Sequence, residues 1–143
     1  MTLERIDPYH GFRFRVEIDG LIVAGFSEVG GLNIETQIEE IREGGVNEYT
    51  HKLPKETKYP NVVLKRGLTD SDTLWQWYRN VATGKIERKT VHVILLDSLG
   101  EDTWRWSFEH SYPIKWLGSE LKADSNAAMI ETIELVHKGF NKY

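Results

Sequence analysis

The sequence predicts a mostly β chain with one α-helix, and three observations carry that expectation. Phe12, Phe14, Val16 and Ile18 alternate with Arg13, Arg15 and Glu17, then run straight into Asp19-Gly20. This is the period-two pattern of a strand with one wet face, closed by a strong two-residue hairpin signal. Residues 90–96 and 103–109 flank the turn-prone S-L-G-E-D at 98–102, with Trp104, Trp106 and Phe108 on one side of the second run, which reads as another hairpin. Helical spacing is met by Leu74, Trp77, Tyr78 and Val81, at i, i+3, i+4 and i+7, the buried stripe of one amphipathic helix.

The remaining elements follow in order. Residues 21–26 (L-I-V-A-G-F) are apolar on both faces, so their strand is expected to be covered on both sides. After Gly30-Gly31, Leu32, Ile34, Thr36 and Ile38 alternate with Asn33, Glu35, Gln37 and Glu39 over residues 32–41. The second face of that strand is polar and is expected to meet water. Residues 42–67 (R-E-G-G-V-N-E-Y-T-H-K-L-P-K-E-T-K-Y-P-N-V-V-L-K-R-G) read as a long polar loop, about 43–60, leading into a short strand at 61–66. Connections in compact domains are usually about 4–6 residues, and longer ones tend to be functional. This one holds no recognisable catalytic set, which points to contact with another protein chain. Thr69, Asp70, Ser71 and Asp72 offer N-caps and early acids for the helix, which closes near Gly84. Residues 127–138 read as a terminal strand interrupted by Glu131 and Glu134. No repeat, low-complexity tract or linker divides the chain, so residues 1–143 are expected to form one domain.

At 143 residues the chain is long enough to bury roughly 68–70% of its unfolded surface without a staple. The absence of cysteine removes disulfides, thiol nucleophiles and zinc-thiolate sites, and suits synthesis in a reducing cytoplasm. No apolar run nears the ~18–20 residues of a membrane span, and residues 1–10 lack the apolar core of a signal peptide, so export by the general secretory route is not expected. A net charge of −4 argues against general nucleic-acid binding, which rests on clustered Lys and Arg. The distribution is uneven: residues 1–41 carry eight acids and three bases, residues 42–66 three acids and six bases, and residues 67–143 eleven acids and nine bases. A basic loop on an acidic body could dock head-to-tail on a second copy, since opposite patches steer association; a solvated loop with idle charges is the alternative.

The motifs that usually carry chemistry are missing. His10, His51, His92, His110 and His137 never fall at metal-ligand spacing. The glycines between 25 and 31 form neither a dinucleotide fingerprint nor a phosphate loop and read as turn or bulge positions. Glu39-Glu40 and Glu101-Asp102 are sequence neighbours, which in a strand point to opposite faces and cannot share acid–base work. Trp75, Trp77, Trp104, Trp106 and Trp116 lack a basic groove and read as core or interface aromatics. An enzyme is therefore not expected, and neither is a cofactor or a metal.

Several stretches together resemble the tail-tube (inner tube) protein family of contractile-tailed phages and phage-like contractile injection systems. They are Val16-Glu17-Ile18-Asp19-Gly20, G-F-S-E-V-G-G-L at 25–32, E-E-I-R-E-G-G at 39–45, H-K-L-P at 51–54 and T-K-Y-P-N-V-V-L-K-R-G-L-T-D at 57–70. L-W-Q-W at 74–77, Y-P-I-K-W at 112–116, E-L-K-A-D-S-N at 120–126 and Ile130-Glu131 complete the ordered set, which spans nearly the whole chain.

The resemblance implies a β-barrel or sandwich subunit that joins strands with its neighbours into a hexameric ring barrel. Rings stack into a tube surrounded by a contractile sheath, with baseplate, initiator and terminator proteins at its ends and DNA or effector protein as payload. It also implies assembly in the bacterial cytoplasm into a phage tail or a released, extracellular injection particle. The region matching 43–60 then reaches neighbouring subunits, with Tyr49, Leu53 and Tyr59 as apolar anchors. Lys52, Lys55, Lys58, Lys65 and Arg66 offer partners to acids of the adjoining copy, and His51 and Pro54 complete the contact set. Asn33, Glu35, Gln37 and Glu39 are candidates for the lumen wall, the alternative being an outward face toward the sheath. Two rival readings are a low-copy tube-initiator or baseplate adaptor of the same fold, and a monomeric β-barrel that binds a ligand or glycan through its tryptophans.

Overall fold

In the computed structural model the described residues are 13–23, 25–42, 50–124 and 126–142. Their elements, in chain order, are β1 (Phe14–Ile18), β2 (Leu21–Val23), β3 (Phe26–Gly30), β4 (Glu35–Arg42), β5 (Thr50–Lys58), β6 (Val62–Gly67), α1 (Thr73–Ala82), β7 (Lys89–Leu96), β8 (Asp102–Gly118), β9 (Ile130–Val136) and β10 (Phe140–Lys142).

The first hairpin forms where its sequence places it, with Ile18 opposite Leu21. Asp19 and Gly20 take φ angles of 51° and 79°, the left-handed conformation that matches the twist of the strands they join. Asp19 is held there by the next strand: its amide donates to the Thr90 carbonyl at 2.9 Å, and its Oδ1 accepts the Thr90 N–H at 3.0 Å.

The main sheet follows the path β2-β1-β7-β8-β9-β6-β3, antiparallel throughout, with β10 added to β8. Strand β8 serves both halves. Residues up to Ser111 pair with β7, and from Tyr112 onward the strand pairs with β9. The change of partner comes beside His110, at φ 55°, and a register shift between Pro113 and Lys115. A bulge bends a strand and tolerates a proline that a regular ladder would reject. The path thus folds into two layers around one core: Val16, Val91, Val93 and Phe108 from one side meet Val62, Leu64, Ile133 and Leu135 from the other.

Helix α1 closes that core with Leu74 and Trp77, and the Trp77 indole N–H donates to the Glu87 carbonyl at 2.8 Å. Arg15 ties β1 to the start of β8. Its Nη2 lies 3.0 and 2.9 Å from the two Asp102 oxygens, a contact that pushes the guanidinium pKa further up. Half in water, such pairs add little to stability.

The structure corrects three expectations. Residues 21–26 are not one covered strand: β2 is an edge, and Leu21 and Ile22 are 74% and 65% exposed. From Thr50 the long polar loop is strand, because β5 runs from Thr50 to Lys58 against β4. The terminal strand is shorter than 127–138, and a further strand, β10, follows it. The mostly β fold with one helix is as expected, and of the β-barrel or sandwich alternatives the sheet is sandwich-like: among the described residues β2 and β3 are its two ends and no barrel closes.

A buried ion pair fastens the β3–β6–β9 layer. Arg66 Nε donates to Glu131 Oε1 at 3.0 Å, with the two residues 4% and 1% exposed. Arg66 Nη2 donates to the Ser71 carbonyl at 3.3 Å, and its guanidinium stands 5.6 Å from the centre of the Phe26 ring. Removing one partner of such a pair strands a charge. Arg66→Ala is therefore expected to destabilise the fold by about 3–5 kcal/mol, and the double replacement Arg66→Met with Glu131→Leu by much less, as urea denaturation checks.

Gly31 is fixed by close approach: it sits at φ 92°, and a Cβ there would come within 2.2 Å of the Asn61 carbonyl oxygen. Gly31→Ala adds that clash to a left-handed cost of about 1–2 kcal/mol, so its unfolding midpoint in the same measurement is expected to fall by at least that equivalent.

Candidate assembly interface

Strands β4 and β5 pair with each other and form a sheet of their own. Every side chain described from 33 to 41 and from 51 to 58 is exposed, so the ribbon stands out from the body as an arm. Its residues make a strand pair without a core. The register sets Glu35 against Lys58, Thr36 against Thr57, Ile38 against Pro54, Glu39 against Leu53, Glu40 against Lys52 and Ile41 against His51. The Thr36 and Thr57 hydroxyls meet at 3.0 Å. Between Thr36 and Ile38 the register shifts, leaving Lys55 and Glu56 opposite Gln37. Pro54 is tolerated because it borders that bulge in a strand with a free edge.

Directly opposed residues share a face, so the register sorts the arm into two surfaces. One carries Thr36, Ile38 and Glu40 with Thr57, Pro54 and Lys52. The other carries Glu35, Gln37, Glu39 and Ile41 with Lys58, Leu53 and His51. The expected polar face is therefore interrupted by Ile41 and Leu53. It also holds three of the residues expected at the subunit contact, His51, Leu53 and Lys58. Ile38 is 51% exposed on the first surface, and Leu53 and Ile41 are 47% and 43% exposed on the second.

The charge pattern changes once β4 is counted. Lys58 and Lys52 of β5 lie opposite Glu35 and Glu40 of β4, and the described strands 35–42 and 50–58 together hold four acids and four bases. As a pair the two strands are balanced in charge, the acids of β4 offsetting the three lysines of β5.

The other expected contact residues divide. Asn33 precedes β4 and is exposed, and Lys55 lies exposed at the bulge. Tyr49 lies outside the described residues. Tyr59 is engaged in its own subunit, edge-on to Phe140 at 5.4 Å and to His137 at 6.0 Å between ring centres. Lys65 pairs with Glu28 at 3.4 Å. Arg66 is buried with Glu131, so its expected partner on another copy is corrected to one in its own chain.

Sequence reasoning missed the β2 edge as a contact surface. Leu21 and Ile22 border a groove of about 480 Å³, lined also by Ile18, Val23, Leu74 and Trp77. The signal was present: a run apolar on both faces has to be covered, and the described residues leave Leu21 and Ile22 exposed. Among the described residues no catalytic geometry is assembled. His92 Nδ1 meets the Ser107 hydroxyl at 2.5 Å inside the sheet and His137 meets the Pro60 carbonyl. Among the described residues no group of His, Cys, Asp and Glu could hold a metal ion, and no helix is long and apolar enough to cross a membrane.

Comparison with known proteins completes the picture. Residues 10–141 match the family model of the T4-like virus tail tube protein gp19. No curated protein sequence matches the chain. Among solved structures, a chain of the anti-feeding prophage tube-terminating cap superposes with a TM-score of 0.91 at 22% identity, covering 100% of this chain and 95% of that one. A chain of the extracellular contractile injection system PVC, in its extended sheath-tube complex, gives 0.86 at 23% identity over 95% and 91%. Hcp1 from Flavobacterium johnsoniae gives 0.56 at 16% identity over 90% and 93%. These likenesses show a shared mostly β tube-like fold. On the match of residues 10–141, the chain belongs to the T4-like virus tail tube protein family, and it is a structural protein rather than an enzyme.

Proposed function

We propose that the chain is the inner-tube subunit of a phage tail or a phage-like contractile injection particle. Six copies close into a ring, rings stack into a hollow tube, and a surrounding sheath contracts to drive the tube and its payload of DNA or effector protein through a target envelope. Synthesis takes place in the bacterial cytoplasm, followed by assembly with sheath, baseplate, initiator and terminator proteins.

The observation that carries this reading is a two-stranded arm exposed on both faces, attached to a body whose described strands end in two open edges, β2 and β3. Free edges recruit strands from other chains, and a heterologous contact propagates, closing into rings or running on as filaments. Covering Leu21 and Ile22 at such a contact contributes roughly 1.5–3 kcal/mol each. The arm surface with Ile38, Pro54 and Lys52 suits a neighbouring subunit, with Lys55 beside it. The surface with Glu35, Gln37 and Glu39 suits the lumen wall, where an acidic lining repels DNA and acidic cargo; His51, Leu53 and Lys58 share that surface.

A low-copy initiator or baseplate adaptor is the second reading. It draws support from a chain of the anti-feeding prophage baseplate with a TM-score of 0.87 at 24% identity, covering 97% of each chain. Copy number in a purified particle separates the two.

The arm can be removed without opening the body. Glu35 and Lys58 are direct partners, so their Cα atoms lie about 4.5–5.5 Å apart and a short Gly-Ser turn can replace residues 35–58. The shortened chain is expected to unfold cooperatively and to form no long tubes under negative-stain electron microscopy; tubes of ordinary length would remove the arm from this role.

A further inference from the structure

The arm has no core of its own, so its direction must be set where it joins the body. Its length gives that junction leverage. Strand β5 has 9 residues, which at about 3.3 Å each is roughly 30 Å, so a 10° swing at the root displaces the far end of β5 by about 5 Å. Interdigitating surfaces do not tolerate that.

Three consecutive residues follow β5, and each is gripped by the β9–β10 region. Tyr59 sits edge-on against Phe140 and His137, and Gly139 lies so close that a Cβ there would stand 3.2 Å from the Tyr59 ring. The Pro60 carbonyl accepts from His137 Nε2 at 3.0 Å. The Asn61 amide donates to Glu134 Oε2 at 3.3 Å. His137 is the centre of this grip. The Gly139 N–H donates to Nδ1 at 3.0 Å, which makes Nδ1 the acceptor and leaves Nε2–H to donate to Pro60. Both ring nitrogens are thus spent on the arm's root and on the turn that cradles Tyr59. The ring itself packs edge-on to Phe108 at 5.0 Å, on the rim of the core.

We propose that the turn at 137–140 is a clamp that aims the arm, with His137 as its positioning residue. That a wrongly aimed arm stops tube growth rests on the tube reading above; the aiming itself does not. Neither the family match nor the fold comparison assigns this role.

The chain contains no cysteine, so spin labels can be placed cleanly. Nitroxides at Glu56→Cys on the arm and Ser98→Cys on the body, both exposed, report the arm's direction as a distance distribution, with labelled chain diluted into unlabelled chain. His137→Gln keeps one donor and one acceptor and is expected to preserve a narrow distribution and tube growth. His137→Ala and Gly139→Ala, the latter forcing the Tyr59 ring aside from a residue at φ 121°, are expected to broaden or shift the distribution and to lose long tubes, with cooperative unfolding retained. An unchanged distribution in both alanine variants overturns the clamp. A narrow distribution in a parent chain that makes no tubes would leave the clamp standing and count against the tube.

Discussion

A two-stranded ribbon is at best marginally stable in water without something to pack on, and this chain builds one from Glu35–Arg42 and Thr50–Lys58 and leaves both faces wet. The body has no such shortfall. Its two layers and helix bury a continuous apolar cluster that includes Val62, Leu64, Phe108, Ile133 and Leu135. Among the described residues the periphery is unsatisfied: the arm, the β2 edge with Leu21 and Ile22, and the β3 edge from which the arm departs. Each of these gains by meeting another chain, and a chain that presents several such surfaces is built for repeated contact rather than for a single partner.

The junction between body and arm shows how that division is maintained. Gly31 lets the outgoing strand pass within contact of the Asn61 backbone, and the buried Arg66–Glu131 pair fastens the strand that follows the returning one to β9. A buried ion pair in a small β domain is weak evidence for stability, since an apolar pair of similar volume often does as well. Here it also holds Ser71, just before α1. The pair therefore couples three elements at one point, while the exposed Arg15–Asp102 contact ties only two strands.

Much of the fold was legible from periodicity. The Asp19-Gly20 hairpin, the Leu74-Trp77-Tyr78-Val81 helix and the hairpin around 98–102 are written in local pattern, because turn residues and apolar spacing act within a few residues of each other. The arm was not. Its β5 half, T-H-K-L-P-K-E-T-K, is polar on both faces and carries a proline, so it lacks the alternation that a buried face imposes, and only the partner strand β4 reveals it. Glu131 looked like an interruption of a terminal strand; its meaning depends on Arg66, 65 positions away. The candidate contact residues suffered in the same way. Side-chain parity within one strand was readable, but which residues of β5 share a surface with Glu35 and Glu39 depends on register and on the bulge opposite Gln37. Tyr59 and Arg66 looked available because nothing local shows the C-terminal turn or β9 folding onto them.

The central claim is that this chain completes its structure with copies of itself. Sedimentation velocity of the purified full chain over a wide concentration range tests it most directly. The account predicts fast-sedimenting rings and longer assemblies that grow with concentration, with little material remaining at the mass of one chain. A homogeneous monomer at the highest concentration reached would contradict it.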